Sequence, residues 1–136
     1  MANPMRVQRA WEVLETTGRP LAAWQDDTPP PLLPLTDAAA FVIDAPKELL
    51  SPRIEQRFDA MLAQGALDEA RAALPHWDPA APWSRAIGAP ELVAHLQGQL
   101  TLPDARAAAL IATRQYAKRQ RTWFRARMRA WQPISA

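Results

Sequence analysis

The stretch TRQYAKRQRTWFR, residues 113–125, sets cations at Arg114, Lys118, Arg119, Arg121 and Arg125, with two glutamines and three aromatic rings among them. From residue 105 onward the chain holds eight Lys/Arg and no acid, whereas residues 1–104 hold eight Lys/Arg against fourteen Asp/Glu. The net charge of +2 therefore conceals a cationic end on an acidic body, and such a field has a direction. At about 100° per residue, Arg114, Lys118, Arg121 and Arg125 share a helical stripe roughly 60° wide. A solvated surface helix is the plain reading of a charge run, but such helices interleave Glu with Lys or Arg to gain i,i+4 pairs. Here no acid relieves the repulsion. An anionic partner is expected, and the planar fork of arginine suits phosphates and base edges. The opposite face carries Ala105, Ala109, Ala112, Tyr116 and Trp123 and is expected to dock on a body, Trp123 by packing rather than by base stacking. Mostly alanine, that face is poor at entering a membrane surface. Nucleic acid is the favoured partner class.

No set of catalytic side chains accompanies the cations. Asp26–Asp27 and Asp68–Glu69 are adjacent pairs that read as solvated faces rather than acid–base dyads. His76 and His95 lack the spacing of metal ligands, no Gly-x-Ser-x-Gly turn occurs, and the absence of cysteine removes disulfides, thiolate sites and thiol nucleophiles. No catalytic residue and no metal ligand is assigned. No apolar run approaches the ~18 residues of a membrane span, and the first residues lack the apolar stretch of a signal peptide. A cytoplasmic protein without a membrane partner is expected.

The cations need a scaffold. In NPMRVQRAWEVLETTG, residues Val7, Ala10, Trp11 and Leu14 recur at helical spacing and Gly18 is a stop signal. RPLAAWQ adds a short helical turn. Four prolines between positions 29 and 34 favour a stiff, extended linker over 29–37. AAFVIDA, residues 39–45, reads as a buried strand in need of a partner. SPRIEQRFDAMLAQG reads as a helix with Ser51 as N-cap, Pro52 at its first position and Gly65 past its end. Its apolar face is Ile54, Phe58, Met61 and Leu62. ALDEARAAL continues as a short helix, PHWDPAAPWSRAIG as a loop, and APELVAHLQG as a helix from Pro90 to the stop at Gly98. The long basic helix opens at Pro103 and Asp104, and a short strand is placed at WQPI. The fold class is mainly α with one or two short strands.

Four motifs occur in an order that resembles a known family. ATRQYAKRQRTWFR is similar to the C-terminal signature of the tRNA dimethylallyltransferases, or tRNA isopentenyltransferases. RIEQRFDAMLAQGALDEARAAL resembles their preceding helix pair, SRAIG their Ser-hydrophobe-Arg-x-hydrophobe-Gly turn, and NPMRVQRAWEVLETTGRPLAAWQ a segment ending in TG-[KR]-P-L. The resemblance covers nearly all of the chain. It implies the C-terminal part of a P-loop kinase-like α/β fold, in which residues 1–28 are a remnant of an inserted helical tRNA-binding domain. Residues 38–136 then belong to the α/β core with its basic terminal helix, and AAFVIDA takes its sheet partners from upstream.

The implied reaction transfers a dimethylallyl group from dimethylallyl diphosphate to N6 of the adenosine 3′ to the anticodon, with magnesium as cofactor. The implied partner is the tRNA anticodon stem-loop. By the same resemblance Arg57 handles the substrate diphosphate, a use its bidentate fork permits; its other reading is a surface partner of Glu55 or Asp59. The tRNA contacts carried over are Arg6, Gln8 and Arg9; Arg85, Ala86, Ile87 and Gly88; and Arg114, Lys118, Arg119, Gln120, Arg121, Thr122, Trp123 and Arg125. GAPEL at 88–92 departs from the family's Gly-aromatic-basic pattern, because Ala89 and Pro90 neither stack nor bind phosphate.

The family's Gly-rich loop ending Gly-Lys-Thr has no counterpart. The glycines stand at 18, 65, 88 and 98 and the lysines at 47 and 118, and none adjoin. The acid that follows that loop as general base is missing with it. The expectation is a catalytically incomplete half-enzyme that keeps tRNA-binding elements, for which a complementary N-terminal chain is a partner. The alternatives are a stand-alone, non-enzymatic RNA-binding module and a helical protein-interaction module.

Overall fold

The computed structural model describes residues 3–135. It divides into two compact units, Met1–Ala40 and Phe41–Ala136.

In the first unit, helix α1 spans Pro4–Thr17 and α2 spans Leu21–Asp26. Asn3 caps α1 by accepting the Met5 N–H at 3.0 Å, and Pro4 takes the first helical position, where no N–H is needed. Gly18 ends α1 at φ 66°, a left-handed conformation open to glycine, and its N–H donates to the Leu14 carbonyl at 2.8 Å. Arg19 then holds α2 in place. It donates to the Ala23 carbonyl at 2.7 Å and to Asp27 at 3.0 Å, and its guanidinium lies 4.4 Å from the centroid of Trp24. Past the first three prolines of the run, a 3₁₀ turn covers Leu35–Asp37. Neither helix buries a residue, and Met5, Val7 and Trp11 are more than half exposed.

The second unit runs β1 (Phe41–Asp44), α3 (Lys47–Ala63), α4 (Ala66–Ala73), α5 (Ala89–Leu96), α6 (Leu102–Arg127) and β2 (Gln132–Ser135). Short 3₁₀ turns at Leu74–His76 and Pro82–Arg85 interrupt the expected loop. The core draws Ile54 and Phe58 from α3, Ala70 from α4, Leu92 from α5, and Ala109 and Leu110 from α6. Burying a side chain the size of Phe58 or Leu92 contributes about 1.5–3 kcal/mol. Ala105 and Ala109 are fully buried; small side chains at a crossing let helix axes approach closely. Thr101 caps α6, its hydroxyl accepting the Asp104 N–H at 3.2 Å.

Two expectations are corrected here. Helix α3 begins at Lys47 rather than at Pro52, so Ser51 is not its N-cap and Pro52 is an interior residue. The added turn brings Leu50 against the core, and that packing overrides the local start signal. Strand β1 is not buried: Phe41, Ile43 and Asp44 are exposed and Val42 is half-buried. Its partner is β2 of the same chain, in parallel pairing with Phe41 opposite Gln132 and Ile43 opposite Ile134. Among the described residues the sheet has two strands, and Val42 and Ile43 share a shallow groove with Phe124 and Met128 at the end of α6.

Candidate nucleic-acid interface

Helix α6 has 26 residues, a length of about 39 Å, and its buried residues are Ala105, Ala109 and Leu110 in its first half. The second half projects the cations. Between it and the first turns of α3 runs a groove of about 550 Å³. Leu50, Ile54, Ile111 and Ala117 line it with apolar surface, and Lys47, Arg114, Lys118, Arg121 and Arg125 supply charge, with Ser51, Gln115 and Thr122 between them. Arg114 is bound to the Glu55 carboxylate of α3. Among the described residues, Lys47, Lys118, Arg121 and Arg125 have no acid within ion-pair distance. Four unneutralised cations thus converge on one groove, where an anion relieves their mutual repulsion.

The stripe predicted on α6 is present, but the two faces are not divided as expected. Arg114 and Arg121 are half-buried beside α3, while Tyr116 and Trp123, expected to dock, are 48% and 53% exposed. Trp123 packs only edge-on against Phe124, centroids 5.8 Å apart, and Arg119 lies 6.0 Å from the Tyr116 ring. The second half of α6 still faces α3 across the groove, but the apolar side chains Tyr116 and Trp123 are left about half in water. Arg119 and Gln120 are exposed, and the Thr122 hydroxyl donates to the Lys118 carbonyl at 3.0 Å.

A second groove, of about 350 Å³, brings Arg57 of α3 together with Ala86, Ile87 and Tyr116. Arg57 is exposed and pairs with neither Glu55 nor Asp59, because Arg114 and Arg106 hold those acids. Arg106 grips Asp59 through Nε at 2.5 Å and Nη2 at 2.7 Å. That hydrogen bonding holds the Asp59 carboxyl below the ordinary carboxylate range and Arg106 further above its own.

The turn from Arg85 to Gly88 is pressed onto α3. Gly88 sits at φ 100°, and a Cβ there would meet the Phe58 ring at 3.1 Å, so both backbone and space call for glycine. Its N–H donates to Glu91 at 2.9 Å, closing the start of α5. Ser84, buried, donates its hydroxyl to the Asp78 carbonyl, and Trp77 meets Trp83 edge-to-face. In the first unit Arg6, Gln8 and Arg9 are exposed on α1; Gln8 and Arg9 both reach Glu12, at 2.9 and 3.5 Å.

Lys47 is the groove residue that sequence reasoning missed. Reading the start of α3 at Ser51 left it outside the helix, although its place before an apolar helical pattern was a usable signal. The described residues hold no group of three His, Cys, Asp or Glu that could bind a metal, and the acids α3 turns towards α6 are already held by arginines.

Residues 1–127 match the family model described as IPP transferase. The chain is 77% identical over 134 residues to a tRNA dimethylallyltransferase of Dinoroseobacter shibae, covering 98% of this chain and 45% of the relative. It is 64% identical over 135 residues to one of a Ruegeria species, covering 99% and 47%. Among solved structures it resembles a tRNA delta(2)-isopentenylpyrophosphate transferase from Staphylococcus epidermidis, with TM-score 0.67 and 30% identity over 96% of this chain and 42% of the other. A full-length tRNA isopentenylpyrophosphate transferase from Bacillus halodurans gives TM-score 0.66 and 28% identity over 98% and 39%. The chain spans just under half the length of these curated relatives. With its motifs, its mainly helical architecture and its family match in agreement, this chain belongs to the IPP transferase family.

Proposed function

We propose that this chain supplies an RNA-holding surface of a cytoplasmic tRNA dimethylallyltransferase. The observation that carries the reading is the set of four unpaired cations, Lys47, Lys118, Arg121 and Arg125, around one groove. The tRNA dimethylallyltransferases it resembles give that surface its substrate, the anticodon stem-loop. In the whole enzyme the C1–O bond of dimethylallyl diphosphate breaks, a C1–N6 bond forms to the adenosine 3′ to the anticodon, and diphosphate leaves. The N6 proton passes to a base that no residue of this chain is assigned to be. Drawing a base out of its stack costs a few kcal/mol, and many backbone contacts are needed to hold the opened loop. Arg85 to Gly88 and the cations from Lys118 to Arg125 serve that purpose, with Arg114 held to Glu55 beneath them. Arg57 holds the departing diphosphate by a bidentate contact.

The test is binding of the chain to an anticodon stem-loop hairpin across a salt series. Affinity is expected to fall steeply with salt, and glutamine at position 47, 118, 121 or 125 is expected to lower the slope by about one per cation removed. A variant with all four replaced that binds as tightly as the unmodified chain at low salt overturns the reading. Incubated alone with dimethylallyl diphosphate, magnesium and unmodified tRNA, the chain is expected to yield no prenylated adenosine, since its sequence carries no Gly-Lys-Thr phosphate loop.

A further inference from the structure

Trp83 lies in the 3₁₀ turn Pro82–Arg85 with 49% of its surface exposed. Its backbone is firmly held. Pro82 fixes a dihedral, buried Ser84 donates to the Asp78 carbonyl, and the Ala86 N–H donates to the Trp83 carbonyl at 3.2 Å. The ring plane is held too, since Trp77 meets it with centroids 5.3 Å apart and planes at 83°. A large aromatic ring kept rigid and half in water is a surface prepared for a flat partner.

Arg85 follows two residues later in the same turn, exposed and without an acid in ion-pair range among the described residues. Trp83 lines a groove of about 320 Å³ and Arg85 a neighbouring one of about 310 Å³, with Trp77 in the lining of both; an aromatic ring on one and a guanidinium on the other match the two ends of one nucleotide, a base with a π face and a phosphate with a charge. Glu69 and Ile87 share the groove of Trp83, and the carboxylate disfavours a phosphate there.

We infer that Trp83 is a stacking platform for one unpaired RNA base, with Arg85 on the phosphate of the same nucleotide. The inference rests on the RNA-holding reading above and adds a base-reading element outside the cation row of α6.

The experiment uses the full chain, an anticodon stem-loop hairpin, and the same hairpin with an abasic sugar at each loop position in turn. Trp83→Ala is expected to weaken binding roughly fivefold to a hundredfold, the range of one base–aromatic stack. Its salt slope stays unchanged because no cation is removed, and Trp83→Phe keeps most of the affinity. On one abasic hairpin, Trp83→Ala and the unmodified chain should bind alike, whereas Arg85→Gln lowers the salt slope by about one. The inference is overturned if Trp83→Ala binds the intact hairpin within twofold of the unmodified chain. It is equally overturned if the loss persists on every abasic hairpin, or if Trp83→Phe fails as badly as Trp83→Ala. If the unmodified chain shows no salt-dependent binding, the RNA reading falls and this one with it. If that binding is present and Trp83→Ala matches it, the Trp83 role alone falls.

Discussion

Asp59 and Arg106, 47 residues apart in sequence, meet through two hydrogen bonds and fasten the first half of α6 to α3. The lowered Asp59 pKa, caused first by the hydrogen bond from Arg106 and opposed by burial, links this fastening to pH. In the unfolded chain the carboxyl returns to its ordinary value near 3.8. The contribution is therefore complete above that value and is lost as pH falls from it through the lower folded value. Asp59→Asn should lower the urea midpoint at pH 7, and the gap to the unmodified chain should close as pH is taken below 3.8. Urea titrations at a series of pH values check this; a gap independent of pH would show that the pair does not couple the helices. Arg114 has a similar partner in Glu55, so two of the arginines of α6 work inwardly while Lys118, Arg121 and Arg125 stay available. Sequence spacing could align these side chains but could not separate the two roles, because Glu55 and Asp59 lie on another helix.

Capping chemistry made most helices legible. Gly18, Gly98 and the Pro103–Asp104 start each mark, to within about two residues, an end that sequence and structure share, since such ends are decided within a few residues. The start of α3 was not legible, because Ser51–Pro52 imitates a cap and first turn while the true start depends on Leu50 reaching a core built from four helices. The exposure of β1 and of Trp123 was illegible for the same reason: an apolar pattern states what a segment could bury, not whether anything stands opposite. The misread start has a measurable consequence. Pro52 offers no N–H to the Glu48 carbonyl one turn back, and an interior proline costs a helix about 3 kcal/mol. Pro52→Ala should restore that bond and raise stability by about 1–2 kcal/mol, after allowing for the freer unfolded chain. Chemical denaturation of the variant reads this directly, and unchanged or lower stability would show that the helix accommodates its proline without loss.

At the scale of the chain, the charge distribution and the topology act together. All fourteen acids precede residue 105, so the field orients the end of α6 towards a polyanion over about a Debye length, ~8 Å at physiological salt. That same end adjoins β1 and the first turns of α3, and the segment after it is joined to the start of the unit by the β1–β2 pairing. Four residues on each side hold together segments separated by roughly ninety residues, with little apolar cover and with Pro133 lacking a donor. Long-range closure of this kind forms late and opens early. In hydrogen–deuterium exchange, the Phe41–Asp44 amides should therefore exchange well before those near Ala105–Leu110, and exchange as slow as theirs would contradict this. For the RNA-holding reading proposed above, the consequence is that the segment after α6 hangs on a four-residue tether, which can open while the helices that bury Ala105, Ala109 and Leu110 stay packed.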